Sequence, residues 1–163
     1  MEETRSSRIG RFFANSYLHL ALRLFIGGLF LLSAVSKLPH HTEFEAVVKD
    51  YDLLPDALAT AYANALPWAE LLVGVYLVLG VLIRPSAAVS ILMGLTFLTA
   101  NVSAIGRGAE HCGNCFGDVW SLPVWEALVI DIALLIAASL LLFMYNRTQR
   151  IFTLDRLAGR RIA

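Results

Sequence analysis

Hydrophobic residues along the chain form four long runs separated by polar connections. The runs cover residues 17–37, 66–83, 86–105 and 123–145. A helix needs about 20 residues to cross a hydrocarbon layer of about 30 Å, and each run is close to that length. The pattern therefore predicts an all-α fold, a bundle of four transmembrane helices.

The first connection, residues 38–65, has a pattern of its own. Its apolar residues recur at steps of three and four among acidic residues. The apolar residues are Phe44, Val47, Val48, Tyr51 and Leu54, and the acidic ones are Glu43, Glu45, Asp50, Asp52 and Asp56. This spacing predicts a short amphipathic helix lying over the outer end of the bundle.

The other two connections differ in length. Only Arg84 and Pro85 lie between the second and third runs. Helices joined by so short a turn must be antiparallel neighbours. The third connection, residues 106–122, is longer, and we expect an ordered or partly re-entrant loop there because of its glycines and the following Pro123.

Composition supports the membrane assignment. The 163 residues are 58% hydrophobic and 16% charged, and a soluble domain of this length carries more charge. A basic arm precedes the first run, which contains Arg23, so we expect a retained span rather than a cleaved signal peptide. The net formal charge is zero, and membrane topology explains the basic residues without nucleic-acid binding.

The distribution of basic residues predicts the orientation. Nine arginines lie on one side of the membrane: Arg5, Arg8, Arg11, Arg84, Arg147, Arg150, Arg156, Arg160 and Arg161. The opposite side has Lys37, Lys49 and Arg107. The positive-inside rule then places the arm 1–16 and the tail 146–163 on the cytoplasmic side of a bacterial inner membrane, with the membrane domain 17–145 between them. The loop 106–122 faces outward, where disulfides persist.

That loop contains the only two cysteines, in His-Cys-Gly-Asn-Cys-Phe-Gly at residues 111–117. Cys112 and Cys115 can close a small disulfide ring and take part in thiol-disulfide exchange. A permanent disulfide is one alternative, although so short a loop gains little stability from a bridge. The other is a metal site in which His111 joins the two thiolates, with His40 or His41 as a further ligand.

Ionisable residues inside the runs form a second candidate feature. A charge in hydrocarbon costs at least a few kcal/mol unless it is paired or hydrated. The residues are Arg23, Glu70, Glu126 and Asp131, with Lys37 at the outer end of the first run. We expect Lys37 to pair with Glu70 or Glu126, and Arg23 to reach the inner surface or Asp131. This polar network either holds helices together or moves protons that disulfide oxidation releases.

Four aromatic residues near the outer surface could contact the flat ring of a quinone. They are Trp68, Phe116, Trp120 and Trp125. Membrane proteins place tryptophan at this level in any case, so these residues are equally typical of an interfacial belt.

Several of these residues carry a family resemblance. Nine positions in the first two runs resemble the DoxX-like membrane proteins: Arg23, Gly27, Gly28, Phe30, Lys37, Glu70, Gly74, Leu77 and Gly80. The Cys-Gly-Asn-Cys-Phe-Gly segment is similar to the cysteine motif of the MauE branch of that group. The resemblance covers residues 17–143. It implies a four-helix membrane bundle that forms or maintains disulfides of a secreted protein, with a thioredoxin-like partner.

The sequence thus supports three functional hypotheses. The first is a membrane thiol-disulfide oxidoreductase that exchanges electrons with an extracytoplasmic thioredoxin-like protein, with a quinone as candidate cofactor. The second is a non-catalytic subunit of a larger membrane complex, with a structural disulfide. The third is a thiol-based metal carrier.

Overall fold

The computed structural model describes residues 16–108 and 123–145, which form five helices. They are α1 (Ser16–Lys37), α2 (His41–Asp50), α3 (Asp56–Leu79), α4 (Ile83–Gly106) and α5 (Val124–Tyr145). All but the short α2 are long and apolar enough to cross a membrane. The predicted bundle of four transmembrane helices is therefore confirmed, and the protein is an integral membrane protein.

Helices α1 and α3 pack closely in antiparallel directions. A Cβ atom built on Gly27 would lie 3.0 Å from the Gly74 carbonyl oxygen, and one built on Gly74 would lie 3.0 Å from the Gly27 oxygen. Small residues at such positions let two backbones approach within a membrane. The contact fixes Lys37, the last residue of α1, beside Glu70 in the middle of α3.

Helices α4 and α5 form the second antiparallel pair, and α5 also packs against α1. A Cβ atom on Gly94 would lie 2.9 Å from Leu135 Cδ2, so these helices also meet through a small residue. Asn101 and Asp131 join the same helices nearer the end at which α2 lies. We call this end of the bundle the α2 end.

The expected amphipathic helix between the first two spans is confirmed as α2. Its Phe44 is buried, and Glu45 accepts a hydrogen bond of 2.7 Å from Thr60 of α3. At its C-terminus the Asp50 carbonyl accepts a hydrogen bond of 3.1 Å from Arg107, just beyond α4. These contacts hold α2 across the end of the bundle.

The second span differs from the sequence expectation because it begins at Asp56 rather than at residue 66 and ends at Leu79. Five of the ten added residues are alanine, which has the highest helix propensity but only modest hydropathy. Ala59 and Ala63 are fully buried there. Glu70 consequently lies fourteen residues into the helix, about 21 Å from its start, rather than close to it.

The turn between α3 and α4 has a clear local cause. Gly80 adopts a left-handed conformation with φ of 74°, and its N–H bonds to the Leu77 carbonyl, which ends α3. Helix α4 starts at Ile83, before the expected residue 86. Pro85 fits in the first turn because no helical N–H bond is needed there.

Candidate functional site

The α2 end of the bundle encloses a cavity of about 350 Å³. All five helices contribute to its wall, which is mostly apolar. Apolar lining residues include Leu29, Phe30, Phe44, Val47, Val48, Leu66, Phe97, Ala127, Ile130 and Leu134. A concave apolar site with a few polar groups is the usual form of a small-molecule pocket.

Seven polar side chains of the four long helices interrupt this apolar wall: Ser33, Lys37, Tyr62, Thr96, Thr99, Asn101 and Asp131. They come from α1, α3, α4 and α5, so residues far apart in sequence meet around one space.

Among the described residues that line the cavity, Lys37 carries the basic side chain. Its Nζ lies 2.6 Å from Glu70 Oε1 and donates a second hydrogen bond, of 2.9 Å, to Ser33 Oγ. The ring centroids of Phe44 and Phe97 lie 5.0 and 4.9 Å from the same nitrogen. An ammonium group in such surroundings is stabilised by its carboxylate partner and by the two aromatic faces.

Glu70 supports Lys37 from behind the cavity wall. The side chain is fully buried, and its Oε1 accepts hydrogen bonds from both Lys37 and Ser33, the latter at 3.1 Å. Its other oxygen, Oε2, has no hydrogen-bond partner among the described residues. The carboxylate therefore depends on Lys37 for its compensation, since a buried charge without a partner is costly.

A second polar group joins α4 to α5. Asn101 Nδ2 donates a hydrogen bond of 2.7 Å to Asp131 Oδ2, and both side chains are buried. Asn101 follows Phe97 by one helical turn, and residues four apart share one helix face. The Asn101–Asp131 pair is thus adjacent along α4 to the ring that contacts Lys37.

The cavity also has an opening on the side of the bundle. Leu95 and Thr99 line the cavity and are themselves exposed, Leu95 by 48%. The Tyr62 hydroxyl and Thr96 Oγ1, 3.0 Å apart, join α3 to α4 beside these residues. One exposed part of the cavity wall therefore lies on the side of the bundle, between α3 and α4. Leu53 and Leu54, which line the cavity and are 48% and 38% exposed, form another at the α2 end.

Helix α2 covers the cavity at the end of the bundle. Its Phe44, Val47 and Val48 line the space, as does Tyr51, whose ring centroid lies 5.8 Å from the Arg107 guanidinium carbon. Burial raises the pKa of the Tyr51 hydroxyl, so it is neutral at physiological pH. Elsewhere on α2, the hydrogen bond from Lys49 lowers the pKa of Glu45.

The structure separates the five residues expected to form one polar network. Lys37 pairs with Glu70, and Asp131 lies on the same cavity. Arg23 is buried at the opposite end, where its Nε donates to the Leu77 carbonyl at 2.9 Å and its Nη2 to Val78 at 3.1 Å. Glu126 is half-buried in the first turn of α5 and is not among the described lining residues.

The expected quinone contacts divide into two groups. Trp68 and Trp125 are 58% and 63% exposed and do not line the cavity, a location typical of interfacial tryptophan. Phe116 and Trp120 lie outside the described residues.

His111, Cys112 and Cys115 also lie outside the described residues. The flanking helices end at Gly106 and begin at Val124. His40 and His41 lie at the start of α2, and within residues 16–108 and 123–145 no group of three His, Cys, Asp or Glu side chains could hold a metal ion.

Sequence reasoning missed Ser33, Tyr62, Thr96 and Asn101. Each is a polar residue on an otherwise apolar helix, and Ser33 precedes Lys37 by one turn. That spacing could have indicated that Ser33 and Lys37 share a face. No comparable sequence signal links Tyr62 to Thr96, which are 34 residues apart.

Comparison with known proteins identifies relatives over most of this chain. A family profile described as "Methylamine utilisation protein MauE" matches residues 15–144. The matched region includes the CxxC segment and all four spans except Tyr145, the last residue of the fourth.

Three named relatives carry the same description, "Methylamine utilization protein MauE". The protein of Paracoccus denitrificans is 37% identical over 122 residues, which cover 74% of this chain but only 65% of that protein's length. The protein of Methylorubrum extorquens is 39% identical, covering 72% of this chain and 77% of its own. That of Methylophilus methylotrophus is 35% identical over 55% of this chain and 48% of its own. No solved structure matches the chain.

Proposed function

The chain belongs to the MauE family of membrane proteins, and we propose that it is a thiol-disulfide redox protein. In this proposal Cys112 and Cys115 exchange electrons with a thioredoxin-like or secreted disulfide protein outside the cytoplasm. The observation that carries the proposal is the position of the only two cysteines, in one CxxC on the connection between α4 and α5. That connection leaves and enters the bundle at the end that holds the cavity.

The proposed orientation puts both termini on the cytoplasmic side of a bacterial inner membrane. The excess of arginine on the side of the termini supports it, because positive residues concentrate in cytoplasmic flanks. The CxxC then faces a compartment in which disulfides form.

Exchange proceeds in two balanced steps. The thiolate of one loop cysteine attacks a sulfur of the partner's disulfide, which forms a mixed disulfide and releases a partner thiolate. The second loop thiol then displaces the partner sulfur, so the loop becomes a disulfide and the partner a dithiol. The reverse sequence oxidises the partner, and either direction transfers two electrons and two protons.

The relatives are named for methylamine utilisation, and we place this chain in the same process as an accessory membrane protein. A wider relationship to DoxX-like proteins is part of the same proposal. The buried Lys37–Glu70 pair and Asp131 support the exchange as polar groups that can accept or return protons below the loop.

The test replaces Cys112 and Cys115 by serine, singly and together. One single variant should accumulate a covalent adduct with its partner that dissociates on reduction, because no second thiol resolves the mixed disulfide. The double variant should form none and should leave the partner's disulfides altered in cells.

Two controls make the test decisive. The double variant must reach the same membrane level and helical content as the unaltered protein. Partner disulfides that are unchanged in cells carrying this variant would contradict the proposed function.

A further inference from the structure

We propose that the cavity is the binding site of a neutral, lipid-soluble quinone, which enters from the bilayer between α3 and α4. Its ring would lie between the Lys37 side of the cavity and the Asn101–Asp131 pair. This inference deepens the proposed function and rests on it for the choice of a quinone among neutral lipids. It places the site away from the tryptophans at the surface.

The location of the opening indicates a ligand dissolved in lipid. Thr99 and Leu95 precede the end of α4 at Gly106 by seven and eleven residues. At the rise of an α-helix they lie about 10 and 16 Å below that end. This depth is within the hydrocarbon layer, whose full thickness is about 30 Å, so this side of the cavity faces acyl chains rather than water. The other exposed lining residues, Leu53 and Leu54, lie at the α2 end, outside this depth.

The charges around the cavity favour a neutral ligand. Lys37 is the basic residue among the described lining residues, and Glu70 neutralises it at 2.6 Å. An anionic lipid headgroup would have to compete with this buried carboxylate. It would also meet the Asp131 side chain, which lines the same cavity.

The polar groups distinguish a quinone from an acyl chain. An ammonium group has three N–H donors, and among the described residues Glu70 and Ser33 accept two of those on Lys37, which leaves one for a ligand. A quinone carbonyl accepts such a bond, whereas an acyl chain has no acceptor. The rings of Phe44 and Phe97 flank the same nitrogen and offer flat apolar surfaces to a ligand ring.

The assignment gives the thiol chemistry an electron acceptor. The dithiol of Cys112 and Cys115 gives two electrons and two protons to the quinone, which leaves as the quinol. The loop is left as the disulfide, so the reaction balances without another reactant. The disulfide can then oxidise the partner's dithiol.

Photoaffinity labelling tests the assignment with an azido-ubiquinone probe and the full chain in phosphatidylcholine nanodiscs. Labelled peptides should contain residues 95–101 or 130–134, and unlabelled ubiquinone should compete. The excess phosphatidylcholine serves as the acyl-chain competitor. Labelling confined to exposed residues such as Trp68 or Trp125 would overturn the proposal.

Two substitutions on one helix provide a matched comparison. Ala100 lines the cavity, whereas Ala88 is exposed and does not. A100F should place a phenyl ring in the cavity and lower labelling about tenfold, because the ring takes the space that the ligand needs. A88F should leave labelling unchanged. Equal labelling of the two variants would contradict the assignment.

A milder variant covers the case in which A100F does not fold. Tyr62→Phe removes one hydroxyl next to the opening and should weaken competition by ubiquinone severalfold without changing helical content. Unchanged competition in Tyr62→Phe would overturn the assignment.

The double serine variant at Cys112 and Cys115 separates this inference from the proposed function. Cavity labelling should persist in it, since binding does not require the thiols. If labelling persists while partner disulfides are unaffected, the thiol function fails and the cavity assignment stands. If exchange occurs without cavity labelling, only the cavity assignment fails.

Discussion

At the scale of single residues, the Lys37–Glu70 pair is the feature with the largest energetic consequence. Both side chains are almost completely buried, and one carboxylate oxygen of Glu70 has no hydrogen-bond partner in the described chain. A buried ion pair of this kind contributes little net stability, but the loss of one partner leaves an uncompensated charge.

We predict that Glu70→Ala lowers the free energy of unfolding by about 3–5 kcal/mol, because Lys37 loses its carboxylate partner in an apolar site. Replacing both residues, Lys37→Met with Glu70→Leu, should restore most of that loss. Chemical unfolding in one detergent gives the unfolding free energies of the unaltered protein, Glu70→Ala and the double variant.

The exposed pair of Glu45 and Lys49, 2.7 Å apart on α2, is the control. Lys49→Ala should leave stability nearly unchanged, since water screens an exposed pair. The account is wrong if the double replacement is as unstable as Glu70→Ala.

Residue partners could be predicted from sequence only in part. The level of Lys37 at the end of its span indicated Glu70 as one of two partners, and that pairing is observed. Arg23 instead bonds to the Leu77 and Val78 carbonyls in the last turn of α3. Backbone acceptors leave no mark in the side-chain pattern. Gly80 is the one sequence feature that accompanies this contact, because a Cβ atom at that position would overlap the Arg23 guanidinium.

At the scale of helices, the contact between α1 and α3 depends on two glycines. A methyl group on Gly27 would meet Val78 Cγ2 at 2.9 Å and the Gly74 carbonyl at 3.0 Å. The neighbouring Gly28 has nothing within 4 Å of its hypothetical Cβ. The two positions therefore differ in packing while sharing one helix and one residue type.

We predict that Gly27→Ala lowers the unfolding free energy by about 1–3 kcal/mol, because α1 and α3 must separate. Gly28→Ala should be neutral or raise it by up to about 1 kcal/mol, as alanine favours the helix. Thermal unfolding of both variants in the same detergent checks the difference. Equal effects at the two positions would contradict the close contact.

Hydropathy predicted three spans to within three residues at each end but placed the start of α3 ten residues late. Residues 56–65 are rich in alanine and carry Asp56, Thr60 and Asn64, so they do not read as a hydrophobic run. Their helix is stabilised instead by tertiary contacts, including the hydrogen bond from Thr60 to α2. Such contacts are invisible to a pattern taken along one segment.

At the scale of the whole molecule, one end of the bundle holds α2, the cavity and the two helix ends that flank the CxxC connection, Gly106 of α4 and Val124 of α5. Arg107 joins two of these parts, since it binds the Asp50 carbonyl and lies over Tyr51, a residue of the cavity wall. The four-helix architecture could be predicted because membrane crossing imposes length and hydropathy on each run. The cavity could not, because its polar residues come from four helices and meet only after packing.

The most direct measurement is the redox midpoint potential of Cys112 and Cys115 in purified membranes, from alkylation mass shifts across graded thiol buffers. The account predicts a reversible midpoint between about −120 and −270 mV, the range of known exchange proteins. A disulfide that stays closed well below about −300 mV would contradict it and indicate a structural bridge in a larger membrane complex.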